Sequence, residues 1–200
     1  MTDLFQDKAE AWDTRPIPAQ ISEGVSQAML NALELSAETS ILDFGAGTGL
    51  VCAKLAPSVG EIIAVDISEA MLAQLAEKQE LRDKVEIVCQ DIINHPLQRQ
   101  VDVIVSAMAM HHVQDTVALF ESFSAHLPSG GRLALADLDS EEGDFHPEGV
   151  EGVFHNGFDR GALTLTAEAA GFEAISFQTA AEVHKDDKRY PIFLMTAIKP

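Results

Sequence analysis

Basic residues are scarce in this chain of 200 residues: 13 Lys and Arg stand against 32 Asp and Glu, a formal net charge of −19. Grip on a nucleic-acid backbone needs a basic face, because phosphate contacts dominate that affinity. DNA or RNA substrates are therefore not expected. Cysteine is nearly absent as well. Cys52 and Cys89 are far apart, form no C-x-x-C pair, and read as reduced core residues. No apolar stretch is long enough to span a bilayer, and Met1–Lys8 lacks the basic and apolar regions of a signal peptide. A cytoplasmic protein with no membrane partner is the expectation. Tyr190 is the only tyrosine, so no Tyr-x-x-x-Lys dehydrogenase pair exists. Internal repeats and linkers are also lacking, which leaves one domain with room for a sizeable core.

What is present concentrates in residues 41–50, Ile-Leu-Asp-Phe-Gly-Ala-Gly-Thr-Gly-Leu. Ile41 and Leu42 close an apolar run that reads as a buried strand. Gly45, Gly47 and Gly49 follow at alternate positions, and Leu50–Ala56 carries the apolar spacing of a helix. Strand, glycine turn and helix bring bare backbone against a ligand, since glycine admits positive φ and has no Cβ to hold the ligand off. A dinucleotide fingerprint would place Gly or Ala at position 50, where this chain has Leu50.

Further elements follow in order. Glu61–Asp66 reads as a second strand ending in an acid, 21 positions after Gly45, where a carboxylate accepts ribose hydroxyls. Ser68 is the better-placed cap for a helix over 69–80. Lys84–Cys89 is a third strand, Asp102–Ser106 a fourth, and Gly130–Ala136 a fifth behind a Pro128-Ser129-Gly130-Gly131 turn. Helices are expected over 4–13 and 17–35, the latter with Ile21, Val25, Ala28, Met29, Ala32 and Leu33 on one face. Residues 139–158 form a long irregular loop rich in Gly, His and acids, a kind that is usually functional or mobile. A helix over 159–170 ends at Gly171. Strands at 172–182 and 191–198 flank a short charged loop and must pair antiparallel.

The form D-x-G-x-G-x-G, with the acid at the second strand and the later turns, resembles the class I S-adenosylmethionine-dependent methyltransferases over residues 40–138. Within them it is most similar to the broad group that includes the ubiquinone and menaquinone C-methyltransferases. The resemblance implies an α/β, Rossmann-like doubly wound sheet in the order 3-2-1-4-5-7-6, the last strand antiparallel, with helices on both faces. It divides the chain into an N-terminal lid (1–38), a cofactor core (39–138), a substrate-side loop (139–158) and a C-terminal helix and strand pair (159–200). It implies S-adenosylmethionine as cofactor and S-adenosylhomocysteine as product, held by Asp43, Gly45, Ala46, Gly47, Gly49, Asp66, Ile67, Met71, Gln90, Asp91, Ile92 and Ser106. In such enzymes an acid like Asp91 takes the adenine amino group and its neighbour, here Ile92, packs on the ring.

Phe5, Ala9 and Trp12 match the F-x-x-x-A-x-x-W-D opening of many small-molecule members. There this segment is a lid over the cofactor, and Trp12 either belongs to that lid or plugs it against the core. The acceptor is expected to be a small molecule and the chain a monomer or homodimer. Ser106–Ala109 replaces the Asn/Asp-Pro-Pro-aromatic tetrad of nucleic-acid amino-methyltransferases. Met108–His112 resembles an x-x-x-H-H segment, which makes His112 and His111 candidates for a general base or a brace of the loop. His146 and His155 lie in the long loop beside Phe145, Phe154 and Phe158. No compact His or carboxylate spacing supports a metal there. A non-catalytic cofactor sensor and a nicotinamide-dependent oxidoreductase are the rival readings.

Overall fold

The computed structural model describes residues 3–147 and 149–200. Its seven strands are β1 (Ser40–Phe44), β2 (Glu61–Asp66), β3 (Val85–Cys89), β4 (Val103–Ala107), β5 (Arg132–Leu138), β6 (Glu173–Lys185) and β7 (Lys188–Ile198). They form one sheet in the order β3-β2-β1-β4-β5-β7-β6. β1 through β5 are parallel, while β7 runs antiparallel to both β5 and β6. β1 therefore has β2 on one side and β4 on the other, and this reversal of strand order opens a crevice at the strands' carboxyl ends.

Parallel strands covered on both faces must be apolar at successive positions. Ile41, Ile62 and Ala134 face one cluster with Val25 and Met29 of α1 (Pro16–Ala32), Leu55 of α2 (Leu50–Leu55) and Leu75 of α3 (Glu69–Ala76). Leu42, Ile63 and Leu133 face the other, with Phe120 and Phe123 of α4 (Thr116–Ala125) and Leu163 of α5 (Arg160–Ala169). Helix ends follow local chemistry. Pro16 opens α1 at a position where its missing N–H costs nothing. Ser68, Asp115 and Asp159 accept the amides of Met71, Ala118 and Ala162 at the starts of α3, α4 and α5. Gly171, at φ +89°, ends α5 as expected.

Three local expectations need correction. Residues 4–13 are a chain of turns with only a 3-10 turn at Trp12–Thr14. The acids of this strap are drawn onto the body instead: Asp3 accepts Ser68 Oγ at 2.9 Å and the Ala70 amide at 3.2 Å, and Asp13 accepts Thr48 Oγ1 and pairs with Lys78. Strands β6 and β7 extend to meet at Asp186–Asp187, whose φ values of +50° and +61° make a two-residue turn where a longer charged loop was expected. Cys89 is exposed rather than core, because β3 is an edge strand; Cys52 is buried.

Candidate active site

Three glycines shape the crevice. Gly45, Gly47 and Gly49 adopt φ of +70°, +55° and +80°, a region other residues seldom enter. A Cβ on Gly45 would collide with the Ala109 side chain, and one on Gly47 would lie 3.3 Å from Met71 Cε. The turn is tied to β2 by the Gly45 and Ala46 amides, both donated to the Val65 carbonyl at 2.8 and 3.0 Å. Asp66, at the end of β2, accepts the Gly47 amide at 2.8 Å and the Ser68 amide at 2.8 Å. Burial raises its pKa, partly offset by those two amides. Beside it Ile67 is 65% exposed, a bare apolar face at the crevice rim.

Asp43 lies behind the turn, 2% exposed, and accepts the Cys52 thiol at 3.1 Å. Burial, with the nearby Asp66 charge, lifts its carboxyl to about 7 against that thiol's opposing bond. The Gln90 amide donates to the Asp66 carbonyl, which fixes the following turn. Asp91 uses its carboxylate within that turn, accepting the Ile93 amide at 3.0 Å and Asn94 Nδ2 at 2.6 Å. Two expected cofactor contacts are not offered by their side chains. Ile92 is fully buried in the α4 side of the core, so it has no free face for a ring. Ser106 is fully buried and donates its hydroxyl to the Phe44 carbonyl at 2.8 Å.

Across the crevice β4 is followed by Met108, held at φ +57°, and a 3-10 turn over Met110–His112. Positive φ at a non-glycine residue stores strain and recurs at functional sites. The turn brings the His111 and His112 rings to 4.2 Å between centroids at a tilt of 46°, and the His146 ring from the long loop lies 5.0 Å from His111. His111 Nδ1 is 2.7 Å from Asp137 Oδ1 at the end of β5; both side chains are sequestered. His112 Nδ1 donates to the Gly152 carbonyl at 2.6 Å. Burial and the His111 ring depress His112 to about 4, and burial with both neighbouring imidazoles depresses His146 to about 4. The strap closes over this group: Phe5 meets His112 edge-on at 5.4 Å and Trp12 meets Phe5 at 5.8 Å.

The long loop is irregular but anchored. Glu141 accepts the amides of Gly143, Asp144 and Phe145, and Lys185 donates to the Asp144 and Phe145 carbonyls at 3.0 Å each. His155 is turned away, donating to the Val113 carbonyl at 2.9 Å. Among the described residues no three His, Cys, Asp or Glu side chains are grouped to hold a metal ion. Sequence reasoning missed the Asp137 partnership and the strap acids. An acid closing the apolar run of β5 was the available signal for Asp137, Asp13 closes the F-x-x-x-A-x-x-W-D segment, and nothing in the pattern marks Asp3.

The glycine turn and the acid at β2 fit an adenosyl cofactor, and the comparisons with known proteins agree. A methyltransferase-domain family profile matches residues 41–131. An uncharacterized methyltransferase of Geobacillus sp. is 31% identical over 168 residues, covering 78% of this chain and 75% of the relative. Another, from Schizosaccharomyces pombe, is 32% identical over 134 residues, covering 59% of this chain. The match spans about half (47%) of that longer relative. The solved structure of DhpI with S-adenosylhomocysteine superposes with a TM-score of 0.77 at 22% identity, covering 98% of this chain and 95% of that one.

Proposed function

The chain belongs to the class I S-adenosylmethionine-dependent methyltransferases, and on that premise we propose that it methylates a small organic acceptor in the crevice between the glycine turn and the His111–His112 turn. S-adenosylmethionine supplies the methyl group as an electrophile bonded to a sulfonium. The single observation carrying the acceptor class is the enclosure of that crevice: the strap and the anchored loop meet over it through Phe5, His112 and Gly152. A site roofed in this way suits a compact ligand. The net charge of −19 adds an unfavourable field for a polyanion. Among the described residues no helix is long and apolar enough to cross a membrane.

In this reading Asp66 accepts the ribose hydroxyls, Gly45 to Gly49 leave room for the cofactor's amino-acid end, and Ile67 offers its exposed face to the adenine. Met71 sits beneath Gly47 and shapes the floor, and the Asp91–Asn94 turn borders the adenine edge. The enzyme's own contribution is positioning, which converts a bimolecular displacement into an aligned unimolecular one. The strap, the core over 39–138, the loop and the C-terminal hairpin form one unit around that task.

Calorimetry tests the assignment of Asp66. The parent should bind S-adenosylhomocysteine and ignore NAD. Asp66→Ala should weaken binding roughly ten- to a hundredfold, the loss of a charge-assisted hydrogen-bond pair of about 1.5–3 kcal/mol. Unchanged affinity with a lower melting temperature would reduce Asp66 to a tie between Gly47 and Ser68.

A further inference from the structure

Asp137 and His111 form a pair that positioning of the cofactor does not require. Asp137 is fully buried at the end of β5 and accepts three protons: the His111 amide at 3.2 Å, the Leu138 amide at 2.8 Å and His111 Nδ1 at 2.7 Å. Since Oδ1 already accepts from Leu138, the proton on the imidazole bond belongs to Nδ1. His111 Nε2 is then an unprotonated lone pair. The Gly152 carbonyl imposes the same tautomer on His112. A carboxylate that orients an imidazole and stabilises its protonated form is the arrangement that makes histidine an effective proton acceptor.

The neighbouring loop adds a second, independent observation. Among the described residues His146 Nε2 is buried with no hydrogen-bond partner, although the backbone on either side of Phe145 is held by Glu141 and Lys185. An unpaired buried nitrogen is costly unless something fills the site. It sits in the same cluster of rings as His111.

Resting on the methyltransferase reading, we propose that His111 Nε2 takes the proton of the acceptor, that Asp137 positions it, and that His146 Nε2 hydrogen-bonds a polar group of an acceptor that is an uncharged ring bearing a hydroxyl, a phenol or enol. As the acceptor oxygen forms its bond to the methyl carbon, the carbon–sulfur bond breaks and its electron pair stays on sulfur. The hydroxyl proton passes to His111 Nε2, and the products are a methyl ether, a neutral thioether and an imidazolium paired with Asp137.

The surroundings select this class. His112 and His146 are neutral at pH 7. The cations whose fields reach the cluster are Lys8 on the strap and Lys185 on β6, and Lys185 is committed to two carbonyls. Lys8 sits over the Phe5 ring, 5.3 Å from its centroid, so among the described residues no cation is hydrogen-bonded into the cluster to hold a carboxylate or phosphate. Among the described residues the carboxyl facing the cluster is Asp137, whose oxygens already accept three hydrogen bonds, so a fixed cation gains little. Phe5 and Phe145 pack edge-on against His112 and His146, aromatic surroundings of the kind in which a flat ring packs. His111 is 1% exposed, so an acceptor reaches Nε2 only with the strap displaced.

The test uses the full chain with saturating S-adenosylmethionine and a panel of simple phenols, with aniline, benzoate and thiophenol as comparators, scored by S-adenosylhomocysteine release. The phenols should turn over fastest, with a rate that rises with pH. His111→Asn retains a donor toward Asp137; it should lower turnover about 10²–10⁴-fold and abolish that rise. Calorimetric affinity for S-adenosylhomocysteine should stay unchanged. His146→Ala, on a surface loop, should raise KM with little change in kcat. Asp137→Asn should displace the pH profile, and nitrogen NMR of the parent should show the Nδ1–H tautomer at His111. Turnover undiminished in His111→Asn, a Nε2–H tautomer, or preference for aniline, thiophenol or benzoate would each overturn the inference while leaving the methyltransferase reading intact. Absence of cofactor binding by the parent would instead sink the reading on which it rests.

Discussion

Asp43→Asn is expected to make the protein more stable at pH 8 than its parent, by a few kcal/mol. The parent carboxyl is sealed behind the glycine turn, and burial raises it from the ordinary 3.8 to about 7. A group whose folded pKa lies above its unfolded value holds its proton more tightly when folded. Its stabilising share is therefore complete below about pH 4 and is lost as pH rises through 7. A shift of about three units corresponds to roughly 4 kcal/mol at most. Asparagine has no proton to lose over that range, so the variant's stability should not fall with it. Urea unfolding of both proteins at several pH values between 4 and 8 reads the difference. Parallel curves would place the pH dependence elsewhere. Affinity should move the other way. The cofactor carries a cationic ammonium and sulfonium, so an ionised Asp43 favours it, and the parent should bind it more tightly as pH rises through 7. A stable variant with poorer binding is the familiar conflict between stability and a functional site.

Gly45→Ala should be strongly damaging for a single added methyl. At φ +70° an alanine is strained by about 1–2 kcal/mol. Its Cβ would also collide with Ala109, a side chain with no rotamer to move into. Forcing a close-packed contact apart adds roughly 1–3 kcal/mol. The sum, about 2–5 kcal/mol, corresponds to a fall of roughly 4–20 °C in melting temperature for a domain of this size. Relief of the clash must push the glycine turn or the His111–His112 turn aside, so cofactor affinity should drop as well. Gly130→Ala is the control. Its φ of +84° is equally unfavourable but nothing lies within 4 Å, so strain alone should appear there. Equal losses in the two variants would show that packing against Ala109 is unimportant.

These two positions also show what was legible beforehand. Ile41 to Leu50 announces strand, turn and helix because glycine spacing and apolar runs are local signals. The sheet order follows from the family resemblance, and all seven strands lie where that order requires. The strap was misread because its acids answer to Ser68, Ala70 and Thr48, contacts between residues up to 67 apart in the chain. No helical periodicity carries such information. Ile92 and Ser106 come from the resemblance alone, near the carboxyl ends of β3 and β4, and in the structure both side chains are buried, which tertiary packing and no local signal decides. The His111–Asp137 bond joins residues 26 apart, one in the turn after β4 and the other on β5, and the β4–β5 register brings them together. The nicotinamide reading was disfavoured by Leu50 and is removed by the family to which the chain belongs.

Transfer of an isotopically labelled methyl group is the most direct test of the central claim. Protein saturated with methyl-labelled S-adenosylmethionine and incubated with the phenol panel should give a labelled small-molecule ether and one equivalent of unlabelled S-adenosylhomocysteine per ether formed. Label that stays on the cofactor across phenols, amines, thiols and carboxylates alike, despite tight cofactor binding, would contradict catalysis of methyl transfer to a small acceptor.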